Sequence, residues 1–221
     1  MIEKQPEGTS REELKEKAER VFQEGQDIRT QVHDLTLEAL AGRRFDPEGI
    51  RDVVRTMGEG IASGARRSGE NTRQAVSEAL AGLDQALMRS AEAGRLALEQ
   101  LLAEGRRLSE RELQVAFDGL RRLEEDFLAT VEQVAEAAGE GVRPELREAL
   151  AQARRNGTET GREVARLMTE LGQRISKATL HAAFTGVETA VEVGARFAQV
   201  AGGILSGLAD SLRERRSEAK R

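Results

Sequence analysis

Residues 184–212 read FTGVETAVEVGARFAQVAGGILSGLADSL, and the spacing of their apolar and small side chains decides the fold class. Phe184, Val187, Val191, Gly194, Ala198, Ala201, Leu205, Leu208 and Leu212 recur in strict 3,4 alternation. That alternation is a heptad seam, which a helix presents along one side. A second row, Ala190, Val193, Phe197, Val200 and Ile204, keeps the same alternation on an adjacent face, about 130° around the axis at 100° per residue. The polar residues Glu188, Glu192, Arg196, Gln199, Ser206 and Asp210 fill the remaining stripe. A helix apolar over more than half its circumference is not stable alone in water. It must be the centre of a bundle, an oligomer seam, or a part that touches a hydrophobic surface. The candidate interface is therefore Phe184, Val187, Val191, Gly194, Ala198, Ala201, Leu205 and Leu208, with Val193, Phe197, Val200 and Ile204 beside them.

Outward from this stretch, composition extends the helical reading to the whole chain. Of 221 residues, 38% are hydrophobic and 33% charged, while proline falls to three. Ala, Glu, Arg and Leu dominate, residues of high intrinsic helix propensity. All six aromatics are phenylalanine, at 22, 45, 117, 127, 184 and 197, and they read as core anchors. With so few large side chains the core is thin. The expected fold is all-α: an elongated helical bundle or coiled coil of about four helices with a long C-terminal helix.

The punctuation of the chain divides it further. Residues 1–9 carry no helical period and are expected to be a disordered N-terminus. Ser10 with Glu13 forms a capping-box signature for a helix over about 11–41, which Gly42 ends. Asp46-Pro47-Glu48 opens the next, expected over 47–105, with an acceptor at N-cap, proline at N1 and an anion at the positive dipole end. Gly58, Gly60, Gly64 and Gly69 crowd that helix, at about 1 kcal/mol each relative to alanine in a free helix. Either another helix packs on the bare backbone along Gly60, Gly64 and Ser68, or residues 57–71 are a joint. Ser109 with Glu112 marks a third start and a helix over 110–138. Gly139-Glu140-Gly141-Val142-Arg143-Pro144 is a turn. The last helical region, 144–212, has weak points at Asn156-Gly157 and Thr185-Gly186, and a basic tail closes the chain at 213–221.

Function classes are mostly excluded rather than indicated. A net charge of −5, with arginines interleaved among glutamates, argues against nucleic acid as partner, since phosphate binding needs a positive stripe. The absence of cysteine removes disulfides, thiolate metal sites and thiol catalysis. The residues three before His33 and His181 are Thr30 and Ala178, so neither histidine belongs to a di-iron Glu-x-x-His pair. Zinc-protease spacing, a nucleophile elbow and a phosphate-binding loop are also missing. Gly203 and Gly207 have the spacing that lets helices approach closely. No enzyme, cofactor or metal is expected. The longest uncharged run, Phe197 to Ala209, is too short for a transmembrane span of about 20 residues, and the N-terminal residues lack a signal-peptide core. A cytoplasmic location is expected.

The aromatic-poor, cysteine-free, Ala-rich pattern of 110–212, carried by Leu113 to Ala138 and Val164 to Leu212, resembles the phasins, helical proteins that coat bacterial polyhydroxyalkanoate granules. It is similar as well to other bacterial helical proteins of this size. The resemblance implies a non-catalytic protein that adsorbs on a polymer granule or lipid surface and self-associates through a coiled coil. The tail lacks the Ala-Lys-Pro basic region of those phasins that also bind DNA, so nucleoid attachment is not implied. Two functions are open: a self-associating scaffold whose apolar face is buried in a bundle or oligomer, and an amphipathic coat. The small residues Gly194, Ala198 and Ala201 at the seam's centre favour the scaffold, because they suit a neighbouring helix better than lipid.

Overall fold

The computed structural model describes residues 10–41, 46–67, 72–103, 110–178 and 190–219. Among these residues the chain is all-helical, with eight helices: α1 (Arg11–Glu24), α2 (Ile28–Ala41), α3 (Pro47–Arg67), α4 (Thr72–Ala103), α5 (Glu110–Ala137), α6 (Arg143–Asn156), α7 (Glu159–Ala178) and α8 (Ala190–Ala219). The expected count of about four is corrected: the expected helices 11–41 and 47–105 are each found as two, and the region 144–212 as three. The helix over 11–41 stops at Gly25, whose φ of 64° is left-handed, and Asp27 comes next at φ 46°. The region 144–212 breaks at Gly157, with φ 72°. Residues 213–219, expected to be a tail, belong to α8. The expected disordered segment 1–9 and the weak points near Ser68-Gly69 and Thr185-Gly186 lie outside the described residues, as does His181.

Local signals set several helix starts. Ser10 Oγ accepts from the Glu13 amide at 3.2 Å while Glu13 Oε2 accepts from the Ser10 amide at 3.1 Å, a complete capping box. Asp46 Oδ1 accepts from the Gly49 amide at 2.7 Å at the head of α3. In the turn after α5, the Val142 and Arg143 amides both donate to the Gly139 carbonyl, at 3.0 and 3.1 Å.

Gly58, Gly60 and Gly64 are buried inside a continuous α3 rather than forming a joint. The helix packed on them is α1, which runs alongside α3 in the same direction: Arg11 reaches Asp52 and Glu59, Ala18 lies at Gly60, and Phe22 at Gly64. A Cβ at Gly60 would stand 2.6 Å from the Ala18 Cβ and 2.7 Å from the Lys15 carbonyl oxygen. Hydrogen at these positions is what allows the two backbones to meet.

α3 packs in turn on α5, α2 on α4 and α8, and α8 on α2, α4 and α5. α6 and α7 succeed one another along α4 in its own direction, with Arg73 of α4 paired to Glu148 and Asp84 to the head of α7. One hydrophobic cluster runs through all eight helices, with Leu14, Met57, Ile61, Leu83, Leu87, Leu98, Leu146, Leu167 and Leu205 fully buried. Of the phenylalanines with described side chains, Phe22 and Phe127 are both core residues.

Candidate functional site

The densest buried polar cluster among the described residues forms where α6 gives way to α7. Asn156-Gly157-Thr158 cannot continue a helix cheaply: Gly157 takes a positive φ that L-residues resist, and Thr158 supplies a hydroxyl able to cap the head of α7. Thr158 Oγ1 accepts from the Gly161 amide at 2.8 Å. The amides of Glu159 and Thr160 are satisfied from another helix. Asp84 of α4 accepts from the Glu159 amide at 2.6 Å through Oδ2 and from the Thr160 amide at 3.1 Å through Oδ1. Its main-chain carbonyl accepts from Thr160 Oγ1 at 2.9 Å. From α5, Glu124 Oε1 accepts from Thr158 Oγ1 at 2.6 Å, and its carboxylate occupies the space a Cβ at Gly161 would take. On the other side of the break, Arg162 Nη1 donates to the carbonyls of Asn156 and Gly157, both at 3.3 Å. α2 joins through Arg29, whose Nη2 donates to Glu159 Oε1 at 2.9 Å and whose Nε donates to Gln85 Oε1 at 3.3 Å.

These hydrogen bonds limit the chemistry open to the cluster. A free helix N-terminus is an anion site, because unpaired amides and the dipole both face outward. Here the Asp84 carboxylate already holds the place a phosphate would take, and negative charge at the positive end of α7 is favourable. Asp84, Thr158 and Thr160 are 9%, 2% and 0% exposed, so their hydrogen bonds form away from water, where an unmade bond is costly. The arrangement ties α2, α4, α5 and α7 at one point.

Beside the break lies a shallow cleft of about 200 Å³, with Leu80, Phe127, Val131 and Leu150 as floor and Ser77, Asp84, Asn156 and Arg162 at its polar edge. A neighbouring cleft of about 250 Å³ lies between α4 and α6 around Ser77, Ala149 and Gln152, bordered by the Arg73–Glu148 ion pair. No group of three His, Cys, Asp or Glu able to hold a metal occurs among the described residues. His33 Nδ1 lies 2.8 Å from Asp34 Oδ1, and its Nε2 is buried without a hydrogen-bond partner. Between α5 and α6, Arg154 donates to Glu132 through both terminal guanidinium nitrogens, Nη2 at 2.8 Å and Nη1 at 3.4 Å. The hydrogen bond first, and the positive charge second, hold the Glu132 carboxyl below its ordinary range.

A family described as being of unknown function, DUF6781, matches residues 4–214. The chain belongs to the DUF6781 family. No curated protein and no solved structure matches it.

The interface expected on this DUF6781 chain is placed in part. Ala198, Ala201 and Leu205 are buried, at 6%, 0% and 0% exposure. Leu208 is 37% exposed, and Ala209, at 1%, takes the inward position in its stead. The inward row thus steps 198, 201, 205, 209, which keeps the period of a straight helix instead of a strict heptad. Val200 and Ile204 are half-buried against the core. Among the described residues nothing lies within 4 Å of where a Cβ at Gly203 or Gly207 would stand, so the close packing read from their spacing is not made there. Phe184 and Val187 lie outside the described residues, and at Val191, Val193, Gly194 and Phe197 only the helical backbone is described.

Sequence reasoning marked Asn156-Gly157 but missed the cluster around it. A signal was present in Asp84, an acid set among Leu80, Leu83 and Leu87, and in Thr158, a hydroxyl directly after a helix-breaking Asn-Gly. Nothing local connects them.

Proposed function

We propose that this chain is a non-catalytic helical scaffold that self-associates. The observation that carries the reading is the engagement of the carboxylates at the α6–α7 break: the buried Asp84 and the half-buried Glu124 both cap the head of α7, so these acids act as ties between helices. The described part of the apolar seam supports the same reading from another side. Ala198, Ala201, Leu205 and Ala209 face α2, α4 and α5 of the same chain, which makes α8 a central strut and leaves other surfaces for joining copies.

Light scattering of the purified protein tests this directly. A mass that is a multiple of the 24.2 kDa chain supports the scaffold, and a single-chain mass up to about millimolar concentration overturns it. As a second arm, Asp84→Ala leaves buried amides at the head of α7 unpaired and is expected to cost about 1–3 kcal/mol of stability. A stable Asp84→Ala protein that loses a ligand or an activity would instead make the cluster a working site.

A coat on polyhydroxyalkanoate granules or lipid is the second reading, favoured by one flank of α8. Val200, Ile204 and Leu208 stand at i, i+4, i+8; the first two are half-buried and the leucine is exposed. No described helix is long and apolar enough to cross a membrane, so contact with such a surface would be interfacial. Sedimentation with polyester particles or anionic vesicles, lost in Val200→Glu, is the expected result for a coat. A wild-type protein that stays in the supernatant with both removes it.

A further inference from the structure

We infer that α1 is an exchangeable arm, able to leave the glycine channel of its own α3 and fill the same channel on a second copy of the chain. The inference deepens the scaffold reading, on which it rests, by naming the surface that joins copies.

Three observations meet in this part of the molecule. First, α1 packs on α3, with a smaller contact to α2, the next helix in the chain. Its apolar face, Leu14, Ala18, Val21 and Phe22, is covered chiefly by that one neighbour. Second, α1 and α2 are separated by three residues, and the bend rests on two positive φ values, 64° at Gly25 and 46° at Asp27. Asp27 is the one non-glycine residue with positive φ among the described residues, a conformation that L side chains adopt at some cost. Third, the apolar period does not notice the bend. Leu14, Ala18, Val21, Gly25, Ile28, Val32, Leu35 and Ala39 step 4,3,4,3,4,3,4 straight through it. The chain from Arg11 to Ala41 is therefore written as one helix and folded as two.

The two forms differ in what they cover. Bent, α1 lies on its own α3, with Ala18 against Gly60 and Phe22 against Gly64. Straightened, α1 leaves α3, so that its own apolar face and the channel beside Met57 and Ile61 both lose cover. A second chain in the straight form restores both at once, because its α1 meets an identical channel. Exchange of identical elements about a two-fold axis recreates every contact of the bent form and relieves the bend. Charge sets the register. Arg11 pairs with Asp52 and Glu59, Lys15 with Glu59, and Glu19 with Arg67, so a seat shifted along the channel would set like charges together.

The chain has no cysteine, so introduced thiols report alone. One chain carries Lys15→Cys, whose backbone lies against Gly60, and a second, distinguished by a mass tag, carries Glu59→Cys. Both also carry Gly25→Ala and Asp27→Ala, which favour the straight helix. After mixing at high concentration and oxidation, a tagged-to-untagged disulfide dimer is expected, at least tenfold above the yield of a Leu208→Cys chain mixed with the same Glu59→Cys partner. Light scattering is expected to show twice the single-chain mass. Chains with the native hinge, unfolded in urea and refolded together, are expected to give the same link at lower yield, which keeps the test decisive if the straightened variant does not fold. Oligomers without this link overturn the exchange and leave the scaffold standing. A single-chain mass under every condition overturns both.

Discussion

Two glycine pairs with the same i,i+4 spacing have opposite fates in this molecule. Gly60 and Gly64 of α3 are buried under α1, with protein atoms 2.6–3.0 Å from where their Cβ atoms would stand, while Gly203 and Gly207 of α8 meet none of the described residues. In both helices the spacing makes a backbone-lined stripe that another helix can approach closely. They differ in the side of the helix on which the stripe falls. On α3 it adjoins Met57 and Ile61, which point inward. On α8, Gly203 and Gly207 each come two positions after an inward residue, Ala201 and Leu205, or about 200° around the axis. Small-residue spacing is thus a permission to pack, and the apolar row beside it decides whether packing happens.

The inward row of α8 offers the largest test. Leu205→Ala is expected to lose about 2–5 kcal/mol, since a fully buried leucine leaves a cavity, whereas Leu208→Ala, one turn on and outward, is expected to lose less than about 1 kcal/mol. Equal losses in urea titrations would mean that the inward register is wrong. The glycine pairs give the next. Gly60→Ala gains helix propensity but drives a methyl against Ala18 and the Lys15 carbonyl, and a net loss of about 1–3 kcal/mol is expected. Gly203→Ala meets none of the described residues and is expected to gain about 0.5–1 kcal/mol. Thermal melts that shift the same way for both would break the contrast; opposite shifts sharpen it.

The smallest effect concerns the surface clasp of α5 on α6. Because Arg154 lowers the Glu132 pKa in the folded chain, the carboxylate's contribution is present above its ordinary unfolded value and is lost as pH falls through the lowered folded one. The melting temperatures of wild type and Glu132→Gln are therefore expected to differ slightly at neutral pH and to converge in acid. A difference that grows on acidification would reverse the assigned sign.

Much of the helical organisation was readable because its signals are local. The capping box of Ser10 and Glu13, the Asp46 cap and the glycine-proline turn at 139–144 each involve residues within one or two turns, and each is found where its residues stand. The alternatives for Gly58, Gly60 and Gly64 were also readable, although not the identity of the helix laid against them. Two features misled. The break at Gly25 hides inside an unbroken heptad, so the helix read from the Ser10 cap to the Gly42 stop ran straight through it. The switch from Leu208 to Ala209 as the inward residue arises from α8 being straight, which a strict 3,4 reading does not anticipate.

The candidate cluster was the least legible part, for a definite reason. Asp84 caps amides 75 and 76 residues further on, and Glu124 binds Thr158 across 34 residues. Either acid, read alone, is a charged position on a helix.

From its sequence alone this chain is committed to helix almost throughout, to a thin alanine-rich core, and to an α8 that cannot stand by itself, because propensity, caps and apolar period act over a few residues and need no partner. Only the tertiary arrangement decided that α1 rests on Gly60 and Gly64, that Gly203 and Gly207 rest on none of the described residues, and that Asp84 closes the head of α7. Those outcomes depend on which helix lies beside which, and that choice is made by the burial of the whole apolar surface together rather than by any one segment.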